Sequence, residues 1–147
     1  MKTILLLLSL FCCCAVYSQK SVYADKCTLI KDLLDTANKT AFNFKQMAKD
    51  SVITLLDIND LLTPCSINRV ESVKINVINS GPEIENIKKD GVLRASKKES
   101  FFILTYVPQD TLLGFSVFYP VSNTVYYWVA ALRNKQFYII KKGGGDF

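Results

Sequence analysis

The chain has no histidine. That removes the commonest general base, any histidine-based triad and most zinc sites. It has no Cys-x-x-Cys pair, no glycine-rich phosphate loop and no Gly-x-Ser-x-Gly elbow, so the usual signatures of dithiol redox, nucleotide-binding and hydrolase chemistry are missing. It has no block of like charge. Adjacent lysines occur only as pairs, Lys88-Lys89, Lys97-Lys98 and Lys141-Lys142, a spacing that keeps strand edges and turns soluble. The mild net charge of +5 is too dispersed for a nucleic-acid footprint. No internal repeat and no long linker divides it.

The longest apolar run, Ile4 to Val16 with only Ser9 inside it, is short for a membrane span. Behind Lys2 it has the form of a signal peptide. Val16 and Ser18 are small enough to precede a cut, which places cleavage at Ser18/Gln19. Residues 1–18 are therefore expected to be removed, leaving 19–147 as one domain, secreted or periplasmic, with no membrane span and a net charge of +4 once Lys2 is lost. A lipid anchor at Cys12, Cys13 or Cys14 fits poorly, because Phe11, Cys12 and Cys13 precede them instead of a small residue.

Three of the five cysteines leave with the signal peptide, and Cys27 and Cys65 remain. In an exported domain two thiols make one disulfide. Its closure of the intervening loop contributes about 4 kcal/mol in the chain-entropy model. No metal site and no cofactor is expected. Asp57 and Asp60 lie three apart and would be neighbours on a helix, where paired carboxylates can do acid/base work; exposed or capping acids are the commoner reading. Glu83 and Glu85 suit the first turn of a helix. Asn38-Lys39-Thr40 is a glycosylation sequon.

What the chain has in abundance lies in residues 101–140, which hold 11 of its 17 aromatic residues. Four aromatic and β-branched runs are separated by Pro108-Gln109-Asp110, by Pro120 to Asn123 and by Asn134-Lys135, the pattern of an antiparallel meander. Ahead of it, Asp25 to Asn38 carries apolar residues at helical spacing. Thr40 to Lys49 reads as a helix, with a strand through Phe42 and Phe44 as the alternative. Val52 to Leu62 follows Asp50-Ser51 as an N-cap and also reads as a helix, with a strand over Val52 to Ile58 competing. Val70 to Ile78 alternates as a half-buried strand. Pro82 to Lys89 suits a short helix ending at Gly91. Val92 to Ala95 suits a short strand and Ser96 to Glu99 a turn. Lys141 to Phe147, with three glycines, reads as a flexible tail.

Turns set register, and register sorts side chains onto faces. Pairing Val107 with Thr111, Tyr119 with Thr124 and Arg133 with Gln136 puts Phe101, Ile103, Val107, Phe115, Val117, Tyr126 and Trp128 on one face, assigned to the core under the helices. The other face then carries Phe102, Leu104 and Tyr106 with Gly114, Ser116, Phe118, Tyr127 and Tyr138. Glycine inside a strand marks a bulge, a bend or a close approach. A gap at Gly114 and Ser116, ringed by Tyr106, Phe118, Tyr127 and Tyr138, is the candidate binding site. That face is too apolar to be left in water; the short Pro82 to Lys89 helix or the N-terminal half, a partner or a ligand must cover it.

The expected fold is α+β: N-terminal helices packed on an antiparallel meander sheet of about five or six strands. In order of elements it resembles, loosely, cystatin-like and NTF2-like folds, a resemblance that implies no activity. The expected function is an exported, non-catalytic binding or inhibitory module that presents an aromatic sheet face to a protein. The alternative is a small pocket protein holding an apolar or aromatic ligand.

Overall fold

The computed structural model describes residues 21–92, 101–109 and 111–146. The expected strand at Val92 to Ala95 and the turn after it lie, beyond Val92, outside the described residues. The fold is α+β: helices lie against a mixed eight-stranded sheet. The elements are β1 (Val22–Tyr23), α1 (Lys26–Ala37), α2 (Phe44–Met47), β2 (Val52–Asp57), β3 (Arg69–Val70), β4 (Val73–Ile78), α3 (Pro82–Asp90), β5 (Phe101–Gln109), β6 (Leu112–Tyr119), β7 (Thr124–Arg133) and β8 (Gln136–Asp146). The strands lie in the order β1-β8-β7-β6-β5-β2-β4-β3.

Helix α1 starts where Asp25, in extended backbone, accepts from the Thr28 N–H and from Thr28 Oγ1, each at 2.8 Å. The exposed Asp25 carboxyl is held below its usual range, chiefly by the Thr28 N–H. Leu29, Ile30, Leu33, Leu34 and Ala37 form its buried stripe. Past Ala37 the chain widens into a π-helical turn, Asn38–Phe42, and breaks at Asn43, where φ is 51°. Thr40 to Lys49 is thus helical only in pieces, because Asn43 takes the left-handed conformation. The break aims Phe42 and Phe44 at Phe102, with ring centroids at 5.3 and 4.8 Å. Asn38 Oδ1 accepts from the Phe44 N–H at 2.7 Å, so the sequon asparagine closes this turn. Cys27, in α1, is bonded to Cys65, with Cα atoms 5.2 Å apart, a normal separation for a disulfide.

Several expectations need correction. The sheet has eight strands where five or six were expected, and it is not wholly antiparallel. Val52 to Leu62 is not a helix: Val52–Asp57 is the strand β2, parallel to β4 on one side and β5 on the other. A strand buried on both faces has no reason to alternate, so Val-Ile-Thr-Leu-Leu matches either template. Lys141 to Asp146 is not a loose tail, because β8 runs to Asp146, which pairs with Thr124. The run Val70 to Ile78 is also divided by a tight turn, Glu71 taking a φ of 51°.

In the meander, Tyr119 pairs with Thr124, Ser116 with Tyr127, Phe115 with Trp128, Arg133 with Gln136 and Ala131 with Tyr138, as the turns imply. Asn134 and Lys135 both have positive φ, as a two-residue type I′ hairpin requires. The β5–β6 turn differs. Gln109 pairs with Leu112 and Val107 with Gly114, three residues away from the expected pairing of Val107 with Thr111, and because the shift is odd it turns every side chain of β5 over. Pro108 is a strand residue rather than the start of the turn. The pairing of β5 with β2 stops at Leu104. On that free edge the Tyr106 N–H is taken by Asn59 Oδ1 at 2.8 Å. Pro108, two residues on, faces the same edge, where a missing N–H costs no ladder bond.

The sheet therefore has two faces of different fate. The helix-side face carries Leu55, Phe102, Leu104, Phe115, Val117, Tyr126 and Trp128 and packs on the α1 stripe as the main core. Tyr106 belongs here, opposite Phe115, with ring centroids 5.1 Å apart. The reverse face carries Leu56, Phe101, Ile103 and Phe118 at one end, under Ile84 and Ile87 of α3.

Candidate functional site

Beyond α3 the reverse face continues across β5 to β8 and β1 with no helix on it among the described residues. Register resolves it into three rows. Thr105, Ser116, Tyr127 and Gly143 form the row nearest α3; Val107, Gly114, Val129 and Lys141 the middle row; Gln109, Leu112, Ala131, Tyr138 and Val22 the outer row. Of the expected site residues, Gly114, Ser116, Phe118, Tyr127 and Tyr138 share this face, opposite Trp128. Tyr106 does not, for the register reason above. Phe118 shares the face but lies buried under α3.

The uncovered rows are apolar where water reaches them. Val107 is 60% exposed, Val22 46% and Leu112 38%, while Gly114, Tyr127, Val129 and Tyr138 are half-buried. A side chain built at Gly114 would meet only Val107, its carbonyl oxygen at 3.5 Å and Cβ at 3.9 Å, ordinary contact distances. The gap expected at Gly114 is a shallow space between Val107 and Val129, open on its outer side. Thr105 Oγ1 and Ser116 Oγ are bonded to each other at 2.7 Å, which closes the polar pair next to it.

Tyr127 lies down across β8. A Cβ at Gly143 would come within 3.1 Å of its hydroxyl oxygen, so glycine is what lets the ring rest there. Lys141 Nζ stands 5.8 Å from the centroid of the same ring, within cation–π range. Tyr138 donates from its hydroxyl to Gln136 Oε1 at 3.1 Å. Sequence reasoning missed Val22, Val107, Lys141 and Gly143 as parts of this surface. The available signal was the glycine run beside a strand ending in aromatics, which makes room for a ring as readily as it makes a tail.

The carboxylates are engaged elsewhere. Asp57 ends β2, fully buried, and its Oδ2 accepts from the Leu62 N–H at 2.7 Å. Asp60, exposed in the following loop, accepts from Asn79 Nδ2 at 2.9 Å; the Thr63 hydroxyl and Asn79 hold its carboxyl below the usual range. Different donors hold the two acids, and both fasten the loop after β2. Glu83 and Glu85 sit in the first turn of α3, and Glu85 pairs with Lys88 at 3.3 Å. Among the described residues no group of three or more Cys, Asp or Glu side chains is placed to hold a metal ion, and no helix is long and apolar enough to cross a membrane.

On the helix side, a cleft of about 350 Å³ opens between the π-helical turn and the far end of β7–β8, lined by Thr40, Ala41, Thr124, Tyr126, Gly144 and Gly145. Its one ring hydroxyl, on Tyr126, accepts from Trp128 Nε1 at 3.2 Å. At the near end, the Tyr23 hydroxyl donates to Asp32 Oδ2 and ties β1 to α1; burial and then that carboxylate push the phenol well above its usual range.

No family model matches the chain, and no curated protein or solved structure is significantly similar to it. The likeness to cystatin-like or NTF2-like folds thus rests on element order alone.

Proposed function

We propose that the protein is an exported, non-catalytic binding or inhibitory module whose contact surface is the uncovered half of the reverse sheet face. One observation carries this reading: α3 covers only the Leu56–Phe118 end of that face, and Val107, Leu112 and Val22 stay exposed over the rest. Contiguous apolar surface beside tyrosines is what protein partners bury. The charges on the described part of this surface are Arg133 and Lys141, with no acid among them, so a partner with an acidic rim fits best. Export is supported by the form of residues 1–18 and by the Cys27–Cys65 disulfide, which suits an oxidising compartment. A non-catalytic role is supported by the separate structural bonds of Asp57 Oδ2 and Asp60 Oδ1; Asp57 Oδ1 is buried with no hydrogen-bond partner among the described residues.

Native mass spectrometry of the protein recovered from the cells that make it, beside its Val129→Glu variant, tests the reading. A protein-sized mass increment on the wild type that Val129→Glu removes is the expected result. A small-molecule increment would move the site to the alternative, an apolar ligand held at Gly114. A bare chain in both samples would count against either.

A further inference from the structure

Next to one end of the sheet lies β8, eleven residues long. Its outer neighbour, β1, pairs only at Val22↔Tyr138 and Tyr23↔Phe137, with one more bond from the Ile139 N–H to the Ser21 carbonyl at 3.1 Å. From Ile140 to Asp146 no strand lies outside β8 among the described residues. A free strand edge is a template for another strand. The opposite edge is shorter: β3 is two residues long and pairs with Val73 and Lys74, which leaves only Ile75 to Ile78 of β4 beyond it.

We infer that a second copy of this chain occupies the β8 edge, with the two β8 strands antiparallel about a two-fold axis at Gly144. Charge and parity select that register. Residues opposed across an axis normal to the sheet lie on one sheet face, so they differ by an even number. Lys142 and Asp146 meet this condition, since they pair with Trp128 and Thr124 on the helix-side face. Centring on Gly144 sets Lys142 of each copy against Asp146 of the other, giving two cross-strand ion pairs. Lys141 and Asp146 differ by an odd number and cannot oppose each other. Centring on Gly143 would leave both lysines against glycine. Thr124 Oγ1 donates to Asp146 Oδ1 at 2.7 Å and holds that carboxylate in place. Between the ion pairs lie only glycines, so no side chain obstructs the approach of the two backbones. This dimer does not depend on the proposed binding face, which stays free on the reverse side of the joined sheet.

Sedimentation velocity over a concentration series tests it on the wild type, on Lys142→Glu, on Asp146→Lys and on the charge-swapped double variant. The wild type is expected to dimerise. Each single variant sets like charges against each other and should raise the dissociation constant by about tenfold or more, while the double variant should restore the dimer. Lys142→Glu serves as the second single variant should Asp146→Lys disturb Thr124. A wild type that stays monomeric throughout, single variants that dimerise as the wild type does, or a double variant that remains monomeric would each overturn the inference.

Discussion

Two parts of one sheet face both carry large apolar side chains and have opposite surroundings. Under α3, Leu56, Phe101, Ile103 and Phe118 are buried with Ile84 and Ile87. Farther along β5 and β6 and across to β1, Val107, Leu112 and Val22 stand in water. Alternation along β5 is unbroken from Phe101 through Ile103 to Val107, so nothing in the strand itself separates the halves. The difference is a nine-residue helix that reaches one end and not the other. An apolar strand face records that something apolar meets it. Whether that is the chain's own helix or another molecule is decided by tertiary placement.

Substitutions can sharpen this contrast. Ile103→Ala, in the covered half, should lower unfolding free energy by about 2–5 kcal/mol, as expected when a large side chain leaves a packed core. Val107→Ala, two strand positions on, should fall within about 0.5 kcal/mol of wild type. Urea denaturation of the pair measures both. Equal losses would mean that the outer half is covered too.

The glycine run offers a second contrast at smaller scale. A Cβ at Gly144 would lie 3.0 Å from both Tyr126 Cδ2 and the Val125 carbonyl oxygen, while one at Gly145 would meet nothing within 4 Å. Gly144→Ala should therefore cost about 1–3 kcal/mol as overpacking and Gly145→Ala should be close to neutral, which thermal melts will read. If both are neutral, the end of β8 is not held against β7.

Gly114→Leu bears on the gap itself. In an open space the larger side chain should change stability by no more than about 0.5 kcal/mol while blocking whatever the face binds. A loss of about 1–3 kcal/mol would place it in a closed core instead.

A further expected effect is alkaline. The folded state keeps the Tyr23 phenol protonated above its ordinary pKa of 10.0, through burial and Asp32. Above that pH the unfolded chain loses this proton before the folded one does. The contribution is therefore whole below pH 10.0 and declines as pH rises beyond it. Tyr23→Phe should flatten stability against pH in that range; an unchanged slope would mean the phenol is not buried in this way.

Much of this architecture was legible where local chemistry is specific. Asp25 ahead of an apolar stripe announced α1 and its boundary. Asn134-Lys135 and Pro120 to Asn123 set the β6–β7–β8 register, and with it the face shared by Gly114, Ser116, Tyr127 and Tyr138. The disulfide followed from Cys27 and Cys65 being the two cysteines outside the expected signal peptide. Three other features were not legible. Leu55 and Leu56 look alike in a helix and in a strand buried on both faces. Pro108 reads as a turn unless it is known that β5 has a free edge there, and that one residue moved Tyr106 to the core side. Gly143 to Gly145 read as slack chain, although Tyr127 resting on Gly143 gives the run a packing role.

The central claim is that the uncovered rows, and not the outside of α3, are the contact surface. Photo-crosslinking tests it most directly, with benzoyl-phenylalanine placed either at Val129 in the middle row or at Asn86 on the exposed side of α3. In the cells that make the protein, the account predicts one discrete adduct from position 129 and none from position 86. No adduct at 129, or the same adduct from both positions, would contradict it.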